Sequence, residues 1–435
     1  MADDVEFGEY PLHQCVFKDD YRRLSQLIRT HDVSLKDIHG NTPLHLAVML
    51  GRNECIQLLL VHGAPVKVKN LQGWTPLAEA ISYGDRQTIL SLLRKLKKQS
   101  RDVLEDRRPA LIRALKNIDD FYLELKWDFH SWVPLVSRIL PSDVCKIHKR
   151  GPCIRLDTTL VDFNDMHWER GDITFVFNGD APPKQSLTVL DNKQKVFQRI
   201  RYQESEMELE DEVDILMCSD IMAAQMSTKN ITFSRSQSGW LFREDKTEMV
   251  GNFKADFYAV NNMTLESRKR REHLSSEDIQ KNKAIIENIS KGGWDNCEFD
   301  RRQSLPPPPV PTVSWEDYIS FNPGNPPTLG RTPIAKENSK GFRATIAMSE
   351  DFPMTVEVLL DVLEVVAPFK QFQKLREFMT SKLPSGFPVK IEIPVFPTVS
   401  AKVTFTFFEW RNDLEDYLFK LPDDYREDPN RFPDL

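Results

Sequence analysis

Two cysteines and two histidines in the middle of the chain have side chains that can bind a metal. Cys145, His148 and Cys153 lie close together, and His167 follows further along. Thiolate and imidazole groups are common zinc ligands, so these four residues suggest a zinc site as one hypothesis. Their spacing departs from that of common zinc modules, and Pro152 beside a predicted strand gives an ordinary reason for a buried thiol. A metal-dependent enzyme is therefore the least favoured alternative, and we expect no metal.

The usual signatures of catalytic chemistry are missing from the sequence. It contains no Gly-x-x-x-x-Gly-Lys-Ser/Thr loop, no Gly-x-Ser-x-Gly turn and no His-Glu-x-x-His helix. These motifs mark nucleotide binding, hydrolase chemistry and zinc proteolysis. We predict that the chain is not an enzyme and needs no cofactor.

One serine has the sequence context of a phosphorylation site. Arginines at 301 and 302 precede Ser304, and Pro306 follows it. The pattern is typical of sites that basophilic kinases modify and that 14-3-3 proteins then bind, because phosphate adds nearly two negative charges that arginines recognise. The alternative is a plain linker.

Composition and charge restrict the class of partner. The 435 residues carry 58 basic and 65 acidic side chains, a net charge of -7. A nucleic-acid partner is disfavoured because it requires a basic surface, and no stretch approaches the roughly 20 apolar residues of a membrane-spanning helix. The acidic N-terminus does not resemble a secretory signal, and the scattered cysteines do not resemble a disulfide framework. We expect a chain that starts in the cytosol with reduced thiols.

An internal repeat occupies the N-terminal hundred residues. The segment 37–47 matches 70–80 at an offset of 33 residues. A degenerate copy around Pro11-Leu12-His13 precedes them. These copies resemble ankyrin repeats. Gly40 and Gly73 suit the positive φ of hairpin tips, and the Thr-Pro pairs suit helix starts. His45 is expected to tie neighbouring loops together by hydrogen bonds.

The sequence after the repeats changes from helical to strand periodicity. Apolar residues from Arg108 to Leu125 at three- and four-residue spacing predict a helix that caps the repeat stack. Alternating segments at 154–163, 172–177, 186–190, 195–200 and 253–260 then predict an antiparallel sheet. Near the end, two amphipathic helices around 356–366 and 369–379 precede a strand pair at 389–396 and 399–408.

Two charged runs have alternative interpretations. The acidic run at 204–214 is most simply a solvated loop, and the alternative is a binding site for a partner's basic segment. The basic run at 268–271 favours the start of a charged helix. A nuclear import signal or a contact with acidic lipid headgroups is the alternative.

These observations predict a multidomain α+β chain. A short ankyrin-repeat solenoid at 8–100 is followed by a helical capping and connecting segment at 101–150 and a mixed domain at 151–435 with an antiparallel sheet and C-terminal helices and strands. Within the last domain we distinguish a β-rich part at 151–262, a helix at 267–290, a proline-rich linker or draped loop at 291–340 and an α/β end at 341–435.

The whole chain resembles the ankyrin repeat domain 13 family. The resemblance rests on strings in the repeats and beyond them, such as Gly73-Trp-Thr-Pro-Leu-Ala-Glu-Ala, Phe121-Tyr-Leu-Glu-Leu, Arg155-Leu-Asp-Thr-Thr-Leu, Gly239-Trp-Leu-Phe and Leu383-Pro-x-Gly-Phe-Pro-Val. The printed sequence shows no C-terminal ubiquitin-interacting helix, so within the family it resembles the C-type branch. Within the sequence, only the run Ile221-x-x-Ala224-x-x-x-Thr228 has a residue spacing that resembles such a helix.

This resemblance implies a function and a location. Family members carry a C-terminal region known as the GPCR-chaperone domain, which implies a chaperone that binds immature G-protein-coupled receptors. It implies peripheral attachment to the cytosolic face of the endoplasmic reticulum membrane, and regulation of receptor exit. The alternative is a ubiquitin-binding endocytic adaptor for plasma-membrane receptors. Repeat stacks bind partners through hairpin tips and the adjoining face, so we expect contacts at His39, Asn41, Gln72 and Trp74.

Overall fold

The structure is a computed structural model that describes residues 8–131, 140, 142–164, 167–200, 204–227, 230–239, 244–290, 301–366, 379, 383–396 and 399–432. The helices of this part are α1 (Pro11–Phe17), α2 (Tyr21–Leu27), α3 (Pro43–Met49), α4 (Asn53–Val61), α5 (Pro76–Tyr83), α6 (Arg86–Asn117), α7 (Glu206–Cys218), α8 (Ser276–Ser290), α9 (Trp315–Ser320) and α10 (Val356–Val366).

The strands of the same residues are β1 (Phe121–Ser131), β2 (Ser142–Arg150), β3 (Cys153–Asn164), β4 (His167–Asn178), β5 (Leu187–Asp191), β6 (Val196–Arg199), β7 (Ile221–Ser227), β8 (Thr232–Arg235), β9 (Gln237–Ser238), β10 (Glu244–Asp245), β11 (Thr247–Val250), β12 (Phe253–Arg270), β13 (Ala335–Ser349), β14 (Phe387–Phe396), β15 (Val399–Trp410) and β16 (Arg426–Glu427).

The six N-terminal helices form the predicted repeat stack, with α1 and α2 as the degenerate first copy. Gly40 and Gly73 have φ of +73° and +86°, which confirms their predicted role in the hairpin tips. Apolar residues of α1 to α6 form one buried core. The fold class predicted from the sequence is confirmed.

The capping helix differs from its prediction. It is a continuation of the last repeat helix, so α6 runs for 32 residues and ends at Asn117. Residues 121–125 were predicted to be helical, but they begin β1, where Phe121 and Leu123 are buried at a spacing of two. The chain changes conformation there because β1 pairs with β2 and β15 on its two sides. The segment 101–150 is therefore only partly helical, and the proposed domain boundaries stay a prediction.

Fourteen strands of the described residues form a single sheet. Its main path is β11-β12-β13-β14-β15-β1-β2-β3-β4-β5-β6-β16, with β7 and β8 also paired to β12. The pairs are antiparallel except for the short pair β16–β6. The predicted strand pair near the end is β14 and β15. The first predicted C-terminal helix is α10, whereas the second lies outside the described residues except for Met379.

One face of the sheet packs on two helices. Apolar residues of β1, β12, β14 and β15 form a second core with α10 and the C-terminal end of α6, where Leu115 is fully buried. The helix α6 thus belongs to both cores and connects the repeats to the sheet. Among the helices of the described ranges, none has the length and apolar character needed to cross a bilayer.

Two predictions about the charged segments are wrong, and the proline-rich segment agrees with one of its two interpretations. Most of the acidic run forms α7, which starts with a capping box between Ser205 and Glu208. Residues 268–270 of the basic run are the last three of β12 and Arg271 follows them, and the helix predicted at 267–290 begins only at Ser276. The described part of the proline-rich segment, from residue 301, lies on the repeats as a draped loop rather than a linker, and it contains α9 and the start of β13.

Candidate functional site

The hairpin tips of the second and third repeats are joined by hydrogen bonds. Asp37 Oδ1 accepts from the backbone N–H groups of His39 and Asn41, both at 2.9 Å. In the next tip, Asn70 Oδ1 accepts a hydrogen bond from the backbone N–H of Trp74 at 2.9 Å. The Nδ2 of Asn70 donates to Asn41 Oδ1 at 3.0 Å and thereby links the two tips. This side of the repeats, defined by residues 37–41 and 70–74, is called the repeat face below.

His45 has the structural role predicted for it. Its Nδ1 accepts from the N–H of Thr42 at 3.1 Å, so its Nε2 carries the proton and bonds to the carbonyl of Trp74 at 3.1 Å. His13 makes the equivalent contact one repeat earlier, from Nε2 to the carbonyl of Asn41 at 2.9 Å. Burial lowers the pKa of His45 to about 4 and also lowers the pKa of His13. Both rings therefore connect successive repeats in the neutral form.

We expect the repeat stack to lose stability as the pH falls from about 6.5 toward about 4. An unfolded histidine takes up its proton near pH 6.5, whereas the pKa of folded His45 is about 4. Between these values the unfolded chain binds more protons, so the free energy of unfolding falls with decreasing pH, by about 2–3 kcal/mol for this group. Urea unfolding at several pH values measures the slope. H45Q should reduce the slope by the contribution of this group, whereas H62Q, at an exposed position, should leave it unchanged.

A segment of the chain's own C-terminal half covers residues 37–41 of the repeat face, whereas Leu71 of the other half is 61% exposed. Residues 301–334, called the strap below, cross the repeats and contribute Tyr318 and Leu329 to their buried core. The Tyr318 side chain is fully buried. Its hydroxyl donates to Asp37 Oδ2 at 2.7 Å and accepts from Asn41 Nδ2 at 2.9 Å. Burial and the Asp37 carboxylate both raise the pKa of Tyr318, so the phenol remains a hydrogen-bond donor.

Aromatic packing fixes the same tyrosine. Its ring centroid lies 4.8 Å from that of His39, 5.5 Å from that of Phe17 and 5.8 Å from that of Trp315. His39 Nε2 also bonds to the carbonyl of Tyr318 at 3.0 Å. Two of the four residues predicted to contact a partner, His39 and Asn41, are therefore buried beneath the strap in this structure.

The other two predicted contact residues face the end of β12. The Gln72 carbonyl accepts from Arg268 Nη1 at 3.1 Å. Trp74 is only 7% exposed and lies under the guanidinium of Arg270, at 5.1 Å from the ring centroid. Partner binding through the four residues stays a prediction, and in this conformation the chain itself provides their contacts.

Arg270 is the centre of a buried ion network between the repeats and the sheet. Its guanidinium contacts Glu79 at 2.9 Å and Glu272 at 2.6 Å, and its Nη2 donates to Ser82 at 3.0 Å. Burial raises the pKa of Glu79 even though Arg270 opposes the shift. Burial also acts to raise the pKa of Glu272, but Arg270 and Ser82 outweigh it and lower that pKa. The network attaches β12 to the third repeat.

The other members of the basic run are also paired. Lys269 and Arg271 both contact Asp220 at 3.1 Å, and Arg268 contacts Glu337 at 3.2 Å. With these contacts in place, the run has little free positive charge for an import receptor or a lipid headgroup.

The acidic helix α7 has its basic partner within the chain. Basic residues of α6 pair with it along its length: Arg86 with Glu210 and Asp214, Arg94 with Glu206, and Lys97 with Glu212. Leu209, Val213 and Met217 of α7 are buried in the repeat core. These acidic residues therefore pair with basic residues of the same chain, and no contact with a partner's basic segment is needed to neutralise them.

Ser304 lies at the start of the long helix. Its hydroxyl accepts from Arg86 N at 3.0 Å and donates to Asp85 Oδ1 at 3.0 Å. The next residue, Leu305, donates its N–H to the carbonyl of Gly84 at 2.8 Å. These contacts hold the N-terminal end of the strap.

Replacement of Gly84 by alanine is expected to loosen that end. Gly84 and Gly63 have φ of +88° and +84°, so alanine causes similar backbone strain at both positions. A Cβ at Gly84 comes within 2.6 Å of the Leu305 Cδ1, whereas at Gly63 no described atom lies within 4 Å. Hydrogen exchange at the Leu305 amide should therefore accelerate about tenfold in G84A and little in G63A. Equal rates in the two variants would contradict the docking of Leu305.

The residues of the hypothetical zinc site are not brought together. Cys145 and His148 are three residues apart on β2 and so point to opposite faces of the sheet. Cys153 and His167 lie at opposite ends of the β3–β4 hairpin, where Cys153 pairs with Asn178 and His167 with Asn164. The described residues contain no group of three or more potential ligands arranged for a metal ion.

Sequence reasoning missed the residues on which this site depends, namely Tyr318 and Arg270. A signal for Tyr318 was present, because Trp315-x-x-Tyr318 places two aromatic side chains within an otherwise proline-rich segment. No local signal distinguishes Arg270 from its basic neighbours, since its burial depends on where β12 meets the third repeat.

A stack of three repeats attached to a large sheet defines an ankyrin-repeat protein, a class built for protein–protein interaction. Comparison with known proteins agrees. A family model described as ANKRD13 C-terminal matches residues 155–429, and a model of three ankyrin repeats matches residues 12–103. The chain belongs to the ankyrin repeat domain-containing protein 13 family.

Its similarity to individual members extends over nearly the full chain. It is 66% identical over 98% of its length to ankyrin repeat domain-containing protein 13C of Homo sapiens, of which it covers 80%. It is equally similar to protein 13C-A of Xenopus laevis, of which it covers 84%. Protein 13B of Mus musculus is 36% identical over 92% of this chain and is covered to 67%. None of these matches indicates a catalytic family.

Proposed function

We propose that the chain is a chaperone for G-protein-coupled receptors. It binds newly made receptors on the cytosolic face of the endoplasmic reticulum membrane and regulates their exit. The observation that carries the proposal is the family match across the whole C-terminal region, together with 66% identity to 13C proteins. The resemblance to this family implies a GPCR-chaperone domain in that region. A repeat stack that lacks catalytic motifs supports a binding role.

Such a chaperone needs no nucleotide. Preferential binding to an immature receptor conformation slows its maturation by mass action, and release follows when the receptor reaches a conformation that binds less well. Attachment to the membrane is peripheral in this proposal. The client segment contacts the repeat face at His39, Asn41, Gln72 and Trp74, in place of the strap and the end of β12.

Affinity isolation of the tagged full chain from gently solubilised cells tests the proposal. The recovered receptors should carry immature glycans that endoglycosidase H removes. A Y318A chain should recover more receptor than wild type, because the strap no longer competes for the repeat face. Recovery of only mature, resistant receptors together with ubiquitin would contradict the proposal and favour the endocytic adaptor. Residues 221–227 belong to the run whose spacing resembles that of a ubiquitin-interacting helix. They form the strand β7, so they do not favour that alternative.

We also propose that 14-3-3 proteins bind this chain after phosphorylation of Ser304. The arginines at 301 and 302 and Pro306 provide the sequence pattern, and the Ser304 side chain is exposed. Capture by immobilised 14-3-3 should depend on kinase treatment and should be lost in S304A. If kinase-treated S304A were captured as well as treated wild type, 14-3-3 would bind a different phosphorylated site.

A further inference from the structure

The hydroxyl of Ser304 is a point at which a modification can act on the strap. It donates its hydrogen to Asp85, and Asp85 is the N-cap of α6. The second carboxylate oxygen of Asp85 accepts from Thr88 N at 3.0 Å and from Thr88 Oγ1 at 2.6 Å. Loss of the hydroxyl hydrogen therefore leaves a carboxylate oxygen facing the oxygen of Ser304.

Two of the arginines around this contact are already paired with carboxylates, and a third, Arg331, donates to the carbonyls of Tyr83 and Pro306. The guanidinium of Arg86 already pairs with Glu210 and Asp214 of α7. The Arg302 guanidinium pairs with Asp278, and its N–H donates to Asp214 at 2.9 Å. Arg301 is mostly exposed, at 72%, and its closest acidic contact is Glu210 at 3.8 Å.

The local backbone is suited to a kinase. Residues 301–314 contain no helix or strand, and the Ser304 side chain is exposed. A basophilic kinase binds its substrate as an extended segment with arginine side chains free. A kinase would therefore bind this segment when the N-terminal end of the strap detaches.

We propose that phosphorylation of Ser304, on which the 14-3-3 binding proposed above also rests, releases the strap from the repeat face. The Ser304 Oγ attacks the γ-phosphorus of ATP and the new O–P bond forms. The bond from that phosphorus to the β–γ bridging oxygen breaks, ADP leaves, and the hydroxyl proton passes to the base of the kinase. The phosphoserine lacks the hydrogen that Asp85 accepted and carries nearly two negative charges beside that carboxylate.

The positive end of α6 does not compensate for this repulsion. Asp85 already caps the helix, and its carboxylate lies between Ser304 and Thr88. The attraction of a helix terminus for an anion is weaker than the repulsion between a phosphate and a carboxylate in direct contact. The modified end of the strap therefore leaves the start of α6.

Release uncovers residues that the strap now buries. Leu305 leaves Gly84 first, and the four prolines at 306–309 transmit the displacement along a stiff segment toward Tyr318. Departure of Tyr318 exposes Asp37, His39 and Asn41. Phosphorylation would thus make residues 37–41 of the repeat face available. The inference concerns contacts within the chain and does not depend on which partner binds there.

Hydrogen exchange of the full chain before and after kinase treatment tests the proposal. The purified protein is incubated with ATP and the catalytic subunit of a cAMP-dependent kinase, and mass mapping locates the phosphate. Phosphorylation at Ser304 should accelerate exchange of peptides spanning 303–322 by about fivefold or more. Treated S304A should exchange like untreated wild type, which controls for modification elsewhere.

A second variant tests the repulsion itself. D85N retains an oxygen that can accept from Ser304 and a residue that caps helices well, but it removes the negative charge. Phosphorylated D85N should show a clearly smaller acceleration than phosphorylated wild type. The proposal is overturned if the kinase does not modify Ser304 in the folded chain while it modifies a peptide of residues 299–310. It is also overturned if phosphorylated wild type exchanges at the same rate as the untreated chain or more slowly, or if D85N responds like wild type.

Discussion

Y318A should lower the free energy of unfolding by about 3–5 kcal/mol, the range found when a large buried aromatic side chain is truncated. Tyr318 is fully buried and packs on Phe17, His39 and Trp315. The substitution also leaves Asp37 and Asn41 without their tyrosine partner. The strap then loses its main anchor. Urea unfolding measures the stability, and hydrogen exchange in residues 37–41 measures the uncovering of the repeat face.

Two further variants separate the contributions of the ring and the hydroxyl. Y318F keeps the ring and removes the hydroxyl, so it should cost about 1–3 kcal/mol and leave the strap in place. Y417A removes a tyrosine that is 65% exposed and should change stability by less than about 0.5 kcal/mol. A Y318A chain as stable as Y417A would mean that Tyr318 does not occupy the buried position described above.

R270M should destabilise the junction between the repeats and the sheet by about 3–5 kcal/mol, because it removes one partner of a buried ion network. Methionine fills similar space but leaves Glu79 and Glu272 buried without their cation. It also removes the guanidinium from the face of Trp74. The loss should appear in urea unfolding and as faster hydrogen exchange at the end of β12.

The matched control for this prediction is on the same strand. Arg268 pairs with Glu337 but is 48% exposed, so R268M should cost less than about 1 kcal/mol. The triple variant R270M/E79Q/E272Q also removes the two unpaired carboxylates, so it should recover most of the stability lost in R270M. If the triple variant were less stable than R270M, the cost would not arise from unpaired buried carboxylates.

Local signals in the sequence were sufficient for the repeats. A period of 33 residues, positive-φ glycines and Thr-Pro helix starts each depend on a few neighbouring residues, so the stack was predictable. The same holds for the β3–β4 and β14–β15 pairs, whose strands are adjacent in sequence and alternate in polarity.

The incorrect predictions all concern segments whose conformation depends on distant residues. The acidic run forms helix α7 because basic residues of α6 neutralise its acidic side chains. Its apolar side chains are buried in the repeat core. The basic run became strand because β12 pairs with β13 and β7, and its charges are matched across the fold. The proline-rich segment showed only low helix and strand propensity. Its position on the repeats is set by Tyr318 and Leu305, whose partners lie more than 200 residues earlier.

The candidate site was predicted in part. The sequence identified the hairpin tips as the surface to consider, and it identified Ser304 as a residue of interest. It did not show that these two features belong to one arrangement, in which the segment carrying Ser304 covers the tips. That relation required the tertiary structure.

An engineered disulfide gives the most direct test of the claim that the strap covers the repeat face. A Cβ at Gly324 would lie 3.8 Å from the Cβ of Leu71, which is the average separation across a disulfide. L71C/G324C should therefore form an intramolecular disulfide under mild oxidation, identified as a linked peptide pair by mass mapping, and the two single variants should not form it. A pair that stays reduced under these conditions, or links only between chains, would contradict the placement of the strap on the repeats.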